Sequence, residues 1–139
     1  MNQNVFVDTS AWLALINKSD LFHVRAKNIR DILLRDNIPF IVTDYVIVEV
    51  ANSLSKIPWR SSAIKLINSI LLSENIRVVE ISKEIYNKGW ELYSSRTDKE
   101  WGLTDCTSFV VMNRYATTEA FTNDHHFEQM GFNILLKEE

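Results

Sequence analysis

Short apolar runs rich in β-branched residues alternate along this chain with longer stretches whose apolar residues recur every three or four positions. The first run, Val5-Phe6-Val7, stops at Asp8-Thr9-Ser10, residues suited to capping. It predicts a strand and then a helix from about Ser10 to Asn17 with Trp12, Leu13, Leu15 and Ile16 on its core face. The same spacing, carried by Ala26, Ile29, Ile32 and Leu33, predicts a helix from about Phe22 to Arg35. Pro39-Phe40-Ile41-Val42 reads as a second strand. Thr43-Asp44 is another cap, opening a helix from Tyr45 to about Leu54, and Pro58 separates this from a helix over Trp59 to Leu72. Next come a strand over Arg77 to Ile81, a helix over Lys83 to Ser95, a loop over Asp98 to Leu103, and a helix over Asp105 to Tyr115 capped by Thr104. Glu119 to Thr122 reads as a short strand ending at Asn123-Asp124, His125 to Met130 as about one helical turn, and Phe132 to Leu136 as a last strand.

Strands that alternate with helices imply right-handed crossovers, hence an α/β fold with a mostly parallel central sheet and helices on both faces. At 139 residues the chain fits a single domain over residues 1–139, and 46% hydrophobic content supplies its core. Three glycines and two prolines leave no linker and no glycine-rich phosphate loop, so P-loop and dinucleotide-binding folds lose their support. One cysteine, Cys106, excludes an intramolecular disulfide framework and a cysteine-rich zinc site, and points to a reducing compartment. No secretion signal and no membrane-spanning run is recognisable, so the cytoplasm is the expected location. A net charge of −3 argues against a broad basic face that coats nucleic acid, while leaving room for a small cationic patch or a bound metal to hold a phosphate.

Ligands of parallel sheets gather at the carboxyl ends of the strands, where this sequence places Asp8 and Asp124; Asp105, at a helix start, can join them. Glu49 lies within Val46-Ile47-Val48-Glu49-Val50-Ala51, a helix apolar on nearly every side, and a buried carboxylate needs a partner, a proton or a cation. Structural alternatives stand beside each acid. Glu49 can point outward or pair with Lys56, Asp8 can cap the following helix, Asp105 suits a helix N-terminus, and Asp124 suits a turn. Acids that converge repel one another unless a hard divalent cation neutralises them, and all-oxygen ligands select Mg²⁺ or Mn²⁺. Zinc would ask for His or Cys. His125 and His126, as neighbours pointing in different directions, make a poor chelating pair and are expected on the surface. His23 is expected merely to start a helix, and Cys106 to be a small core residue.

Four segments carry a resemblance: Val5-Phe6-Val7-Asp8-Thr9-Ser10-Ala11-Trp12, Val48-Glu49-Val50-Ala51-Asn52-Ser53-Leu54, Trp101-Gly102-Leu103-Thr104-Asp105-Cys106 and Phe121-Thr122-Asn123-Asp124-His125-His126-Phe127. In this order and spacing they resemble PIN-domain ribonucleases, most closely the VapC-type toxins; the region from Ser19 to Pro39 matches least. The resemblance puts the family's catalytic, metal-binding acids on Asp8, Glu49, Asp105 and Asp124, and supporting polar residues on Thr9, Ser10, Thr104, Thr122 and Asn123. Some relatives place a further acid after the fourth motif, where this chain offers only Glu128. The resemblance implies a Rossmann-like PIN fold, endonucleolytic cleavage of RNA dependent on Mg²⁺ or Mn²⁺, a homodimer and a small antitoxin partner. The rival from another class is a non-catalytic PIN-like scaffold that binds RNA or protein; a phosphorylation-controlled signalling domain would need a second acid beside Asp8. Lys18, Lys56, Arg60, Arg96 and Lys99 are candidates for holding flanking phosphates, and Trp12 and Trp59 for docking a partner.

Overall fold

The apolar runs become five strands and the amphipathic stretches become the helices between them in the computed structural model, which describes residues 3–137. In chain order the elements are β1 (Val5–Val7), α1 (Thr9–Ile16), α2 (His23–Arg35), β2 (Phe40–Thr43), α3 (Asp44–Ser53), α4 (Ile57–Leu72), β3 (Ile76–Val79), α5 (Lys83–Ser95), α6 (Leu103–Arg114), β4 (Glu119–Phe121), α7 (His125–Gln129) and β5 (Asn133–Ile134). The sheet order is β3-β2-β1-β4-β5, and every pairing is parallel. Val5 registers with Phe40 on one side of β1 and with Glu119 on the other.

This order places a topological switch beside β1. The chain winds outward from β1 through β2 to β3, then crosses back to β4 and continues to β5. Right-handed crossovers moving in opposite directions put the intervening helices on opposite faces. The packing agrees: α1 touches α2 and α3, and α3 touches α4, whereas α5 packs on α6 and α6 on α7. Between the ends of β1 and β4 the chain departs to both sides, which opens the crevice where such sheets hold ligands.

The core is aromatic beneath that crevice. Phe6, Phe109, Phe121 and Phe127 are fully buried, each side chain contributing about 1.5–3 kcal/mol on leaving water. Phe109 meets Trp101 and Phe127 edge-on at centroid distances of 5.3 and 5.0 Å. Gly89 lets α5 approach α6, because a Cβ there would stand 2.8 Å from Thr107 Cγ2.

Several boundaries differ from the sequence pattern for identifiable reasons. The helix α6 starts at Leu103 with Gly102 as N-cap, so Thr104 is not the cap; the Asp105 carboxylate accepts the Gly102 N–H at 3.2 Å and closes that end. Helix α4 starts at Ile57, with Pro58 inside the first turn, where a missing N–H costs nothing. Strand β3 ends at Val79 instead of Ile81, whose N–H turns to Asp44 Oδ1 at 3.0 Å. The ladder of β5 is shorter than Phe132 to Leu136, although Leu135 and Leu136 still donate to Ala120 and Thr122 carbonyls. Ile32, expected on the core face of α2, is 47% exposed, and Ala26 is the buried residue of that helix.

Candidate active site

Asp8 leaves the central strand directly into the crevice and is only 5% exposed. Its side chain makes no cap bond to α1, so the capping alternative does not account for it. Instead Oδ2 accepts the Thr122 hydroxyl at 3.0 Å from the end of β4. Burial pushes the Asp8 carboxyl up from 3.8 to about 7, Asp105 and Glu49 push the same way, and the Thr9 backbone N–H and the Thr122 hydroxyl offset only part.

The hydroxyls around Asp8 have a consistent proton order. Thr122 Oγ1 spends its single hydrogen on Asp8, so Ser10, 2.9 Å away, donates to Thr122 and accepts the Asn123 N–H at 3.1 Å. Thr122 Oγ1 also accepts the Asp124 N–H at 3.1 Å. The start of α1 thereby fixes the turn that carries Asp124. Asn123 joins this network through its backbone, and its side chain is exposed. Thr104 joins through neither route: its carbonyl receives the Thr107 and Ser108 hydroxyls.

Glu49 takes the outward-pointing alternative, which corrects the expectation of a buried carboxylate on α3. It is exposed, not buried, and among the described residues it has no pairing with Lys56. Thr9 Oγ1 donates to Glu49 Oε1 at 2.6 Å, tying α3 to the residue after Asp8. The buried carboxylate of the site is Asp8, because the central strand ends inside the protein whereas α3 turns Glu49 outward over the crevice.

Asp105 lies in the first turn of α6, and Asp124 caps α7 by accepting the His126 N–H at 2.9 Å. Both structural alternatives for these acids are therefore realised, and the acids still converge. Burial first and then the Asp124 charge raise the Asp105 carboxyl above its ordinary value, while the Gly102 N–H and His126 pull it down. Asp8 feels Asp105 and Glu49, and Asp105 feels Asp124, so the four acids form one electrostatically connected group.

His126 is the residue sequence reasoning missed. It is not on the surface: its Nδ1 lies 3.3 Å from Asp105 Oδ2 and 3.3 Å from Asp124 Oδ1, bridging α6 and α7. The available signal was Asp-x-His at a helix start, where a capping acid and the residue two positions on lie side by side. His125 is exposed as expected, yet the two rings do not diverge; their centroids are 4.6 Å apart, and Asp124, His125 and His126 offer ligand atoms within 4.8 Å of one another.

The other candidates separate clearly. Glu128 pairs with Lys137 at 3.0 Å. His23 starts α2 and bonds the Ala14 carbonyl through Nδ1 at 2.7 Å. Cys106 is fully buried, and its thiol is pushed up to about 11, by burial first and then by Asp105, which suits a core residue and not a nucleophile. Trp12 is buried and unable to dock a partner, and Trp59 packs partly against the core.

Comparison with known proteins identifies the family and the fold. The PIN domain family matches residues 5–133. The 23S rRNA-specific endonuclease VapC20 of Mycobacterium tuberculosis is 30% identical over 129 residues, spanning 92% of this chain and 95% of that protein. The crystal structure of VapC20, a sarcin-ricin loop cleaving toxin, superimposes with a TM-score of 0.81 at 29% identity, covering 92% of this chain and 95% of that one. Two more distant structures share the fold. VapBC2 from Rickettsia felis, bound to a DNA fragment from its promoter, has a TM-score of 0.71 at 15% identity over 95% of this chain and 97% of that one. FitAcB from Neisseria gonorrhoeae has a TM-score of 0.66 at 13% identity over 94% and 95%. With an all-parallel sheet, a carboxylate group at its switch point and a family match over most of its length, the chain belongs to the PIN domain family.

Proposed function

We propose that this protein is an endoribonuclease that hydrolyses RNA phosphodiester bonds with Mg²⁺ or Mn²⁺ and serves as the toxin of a toxin–antitoxin pair. The observation that carries the reading is the buried Asp8, whose carboxyl rises to about 7 among like charges. A group so destabilised as an anion fits a site completed by a cation, and four carboxylates offer the oxygen donors a hard cation prefers. Asp8, Glu49, Asp105 and Asp124 would hold it. When bound, such an ion lowers the pKa of a coordinated water and offsets the charge of the scissile phosphate.

The chain's own groups then have defined tasks. The Thr122 hydroxyl orients Asp8, Thr9 holds Glu49 over the crevice, and Ser10 keeps the Asp124 turn against α1. The His126 ring bonds Asp105 Oδ2 through Nδ1 while its backbone N–H bonds Asp124 Oδ1, which holds the two acids together against the spreading that like charges favour.

A homodimer and a small antitoxin belong to the same proposal. Ile57, Ile64 and Leu71 recur at seven-residue spacing on α4 and are exposed, a stripe suited to covering by another helix. The VapBC2 complex among the structural relatives supports a partner protein. No helix among the described residues is long and apolar enough to cross a membrane, in keeping with action in the cytoplasm.

Induced expression of the parent and of Asp8→Asn, followed by sequencing of cellular RNA ends, tests the activity. The 23S rRNA sarcin-ricin loop, which VapC20 cleaves, is the first site to inspect. New ends made by the parent alone are expected; with purified protein, cleavage should stop in EDTA, and Zn²⁺ should support little of it. Undiminished cleavage in excess EDTA would refute the metal requirement.

A further inference from the structure

Beside the acids lies a groove of about 600 Å³ lined by Trp90, Tyr93, Arg96, Lys99, Trp101 and Gly102. It adjoins the carboxylate group at Gly102, whose N–H is bonded to Asp105 Oδ2 at 3.2 Å. Its outer wall is an aromatic pair: Trp90 and Tyr93, three positions apart on α5, stack at 5.5 Å between centroids and 26° between planes. Both are about half exposed, 49% and 44%, while their neighbour on the floor, Trp101, is buried and pinned by its Nε1 to Gln129 Oε1 at 2.8 Å.

The cations are placed by the same aromatic floor. The Arg96 guanidinium stands 5.0 Å over the Trp101 ring, held from the side by Asp98 through two bonds of 2.9 and 3.0 Å, and Lys99 Nζ stands 5.9 Å over the same ring. Those two bonds use Nε and Nη2, so among the described residues Nη1 keeps its hydrogens for another acceptor. Lys99 makes no ion pair among the described residues. Cations fixed beside half-exposed aromatic rings in a groove that adjoins the carboxylate group match what a single-stranded nucleic acid presents, alternating bases and phosphates.

Resting on the ribonuclease reading above, we propose that this groove seats the RNA nucleotide next to the scissile phosphate: its base stacks on the Trp90–Tyr93 pair, and its phosphate takes hydrogen bonds from Arg96 and Lys99. Asp98 and Glu100 keep the local net charge near zero, so stacking carries the affinity, and the site tolerates different bases. A second protein chain is a worse occupant, because the exposed aliphatic stripe of α4, which suits a helix, lies on the opposite face of the sheet.

Trp90→Ala and Tyr93→Ala test this, with Tyr86→Ala, one turn earlier on α5 and outside the groove, as control. Each is assayed for KM and kcat on a labelled single-stranded RNA. Affinity is measured by fluorescence anisotropy in an Asp105→Asn background that does not cut. The two groove variants are expected to weaken binding and raise KM by about 5- to 150-fold, with a larger change in KM than in kcat. Trp90→Phe should recover most of the loss, and Tyr86→Ala should match the parent. Unchanged affinity and KM in folded Trp90→Ala and Tyr93→Ala, while the parent cuts RNA, would overturn the groove and leave the nuclease reading standing. Failure of the parent to cut or bind any RNA would instead remove that reading and the groove with it. If the groove variants turn a dimer into monomers in sedimentation and keep their RNA affinity, the face joins two copies of the chain and the proposal is wrong.

Discussion

Taking Asp8 out of water costs more than the Thr122 hydroxyl and the Thr9 amide return, so without metal the folded protein holds a proton there up to about pH 7 that the unfolded chain gives up near 3.8. Stability of the metal-free protein should therefore fall as pH rises from about 4 to about 7 and level off above it. Asn at this position still accepts from Thr122 and carries no charge. Thermal melts in EDTA should show Asp8→Asn gaining on the parent across that window and melting higher at pH 8, while losing at least about a hundredfold in cleavage. Asp105 gives the complementary case, since its carboxylate both crowds Asp124 and closes the start of α6 through Gly102. Asp105→Asn keeps an acceptor and should match or exceed the parent's metal-free stability; Asp105→Ala loses it and should cost about 1 kcal/mol, read in urea melts; neither should cut RNA. The four acids were legible because each stands at a strand end or helix start or interrupts an apolar helix. The burial argument for Glu49 was not, since facing depends on how α3 lies over β1, and the buried member proved to be Asp8. His126 stayed hidden for a similar reason: its value comes from Asp105, 21 residues earlier, brought beside it only by tertiary packing.

Helix ends show what local sequence reveals and what it conceals. Helices α2, α6 and α7 all stop at a residue in the left-handed region, Asn37 (φ 57°), Ala116 (φ 52°) and Gly131 (φ 98°). After each, the next amide reaches back five residues, from Ile38 to Leu33, Thr117 to Met112 and Phe132 to Phe127. Asn and Gly announce such stops; alanine does not, and Ala116 bears a strain that glycine would avoid. Ala116→Gly should relieve about 1–2 kcal/mol of strain and, after the unfolded-state entropy glycine adds, raise stability by about 0.5–1 kcal/mol in urea melts, and Gly131→Ala should lower it by about 1–2 kcal/mol. Nothing lies within 4 Å of a Cβ at Gly131, so that loss reports backbone alone. Gly89→Ala is expected to cost about 1–3 kcal/mol for the opposite reason, since its Cβ would press Thr107 of α6, and a smaller loss in chemical denaturation would mean that α5 shifts freely. The succession of strands and helices was readable because short unbroken β-branched runs, buried on both faces, differ from stretches whose apolar residues recur every three or four positions, and parallel pairing followed from alternation. Strand ends were less so, because partners distant in sequence set them: Asp44 takes the amide of Ile81 that would have lengthened β3.

At the scale of the whole molecule, the strand order β3-β2-β1-β4-β5 gathers acids from positions 8, 49, 105 and 124 into one crevice of a protein already carrying a net charge of −3. A phosphodiester approaching that crevice meets repulsion unless a cation is present, so RNA affinity and fold stability should both answer to divalent metal. Only the folded chain brings the four acids together, and an ion held by them at a hundred times its Kd would stabilise by about 2.7 kcal/mol. For a domain of this length that corresponds to a melting increase of about 8–12 °C. Carboxyl groups must give up protons to hold the ion, so the gain should grow from pH 5 to 8, against the metal-free trend, in which the parent weakens up to about pH 7. The two melting curves of the parent, with Mg²⁺ and with EDTA, should therefore diverge as pH rises, and those of Asp8→Asn should stay nearly parallel. Differential scanning calorimetry across that range checks this. Equal Mg²⁺ shifts in parent and variant at pH 8, or a shift that shrinks with rising pH, would mean that the ion binds elsewhere and that Asp8 is not among its ligands.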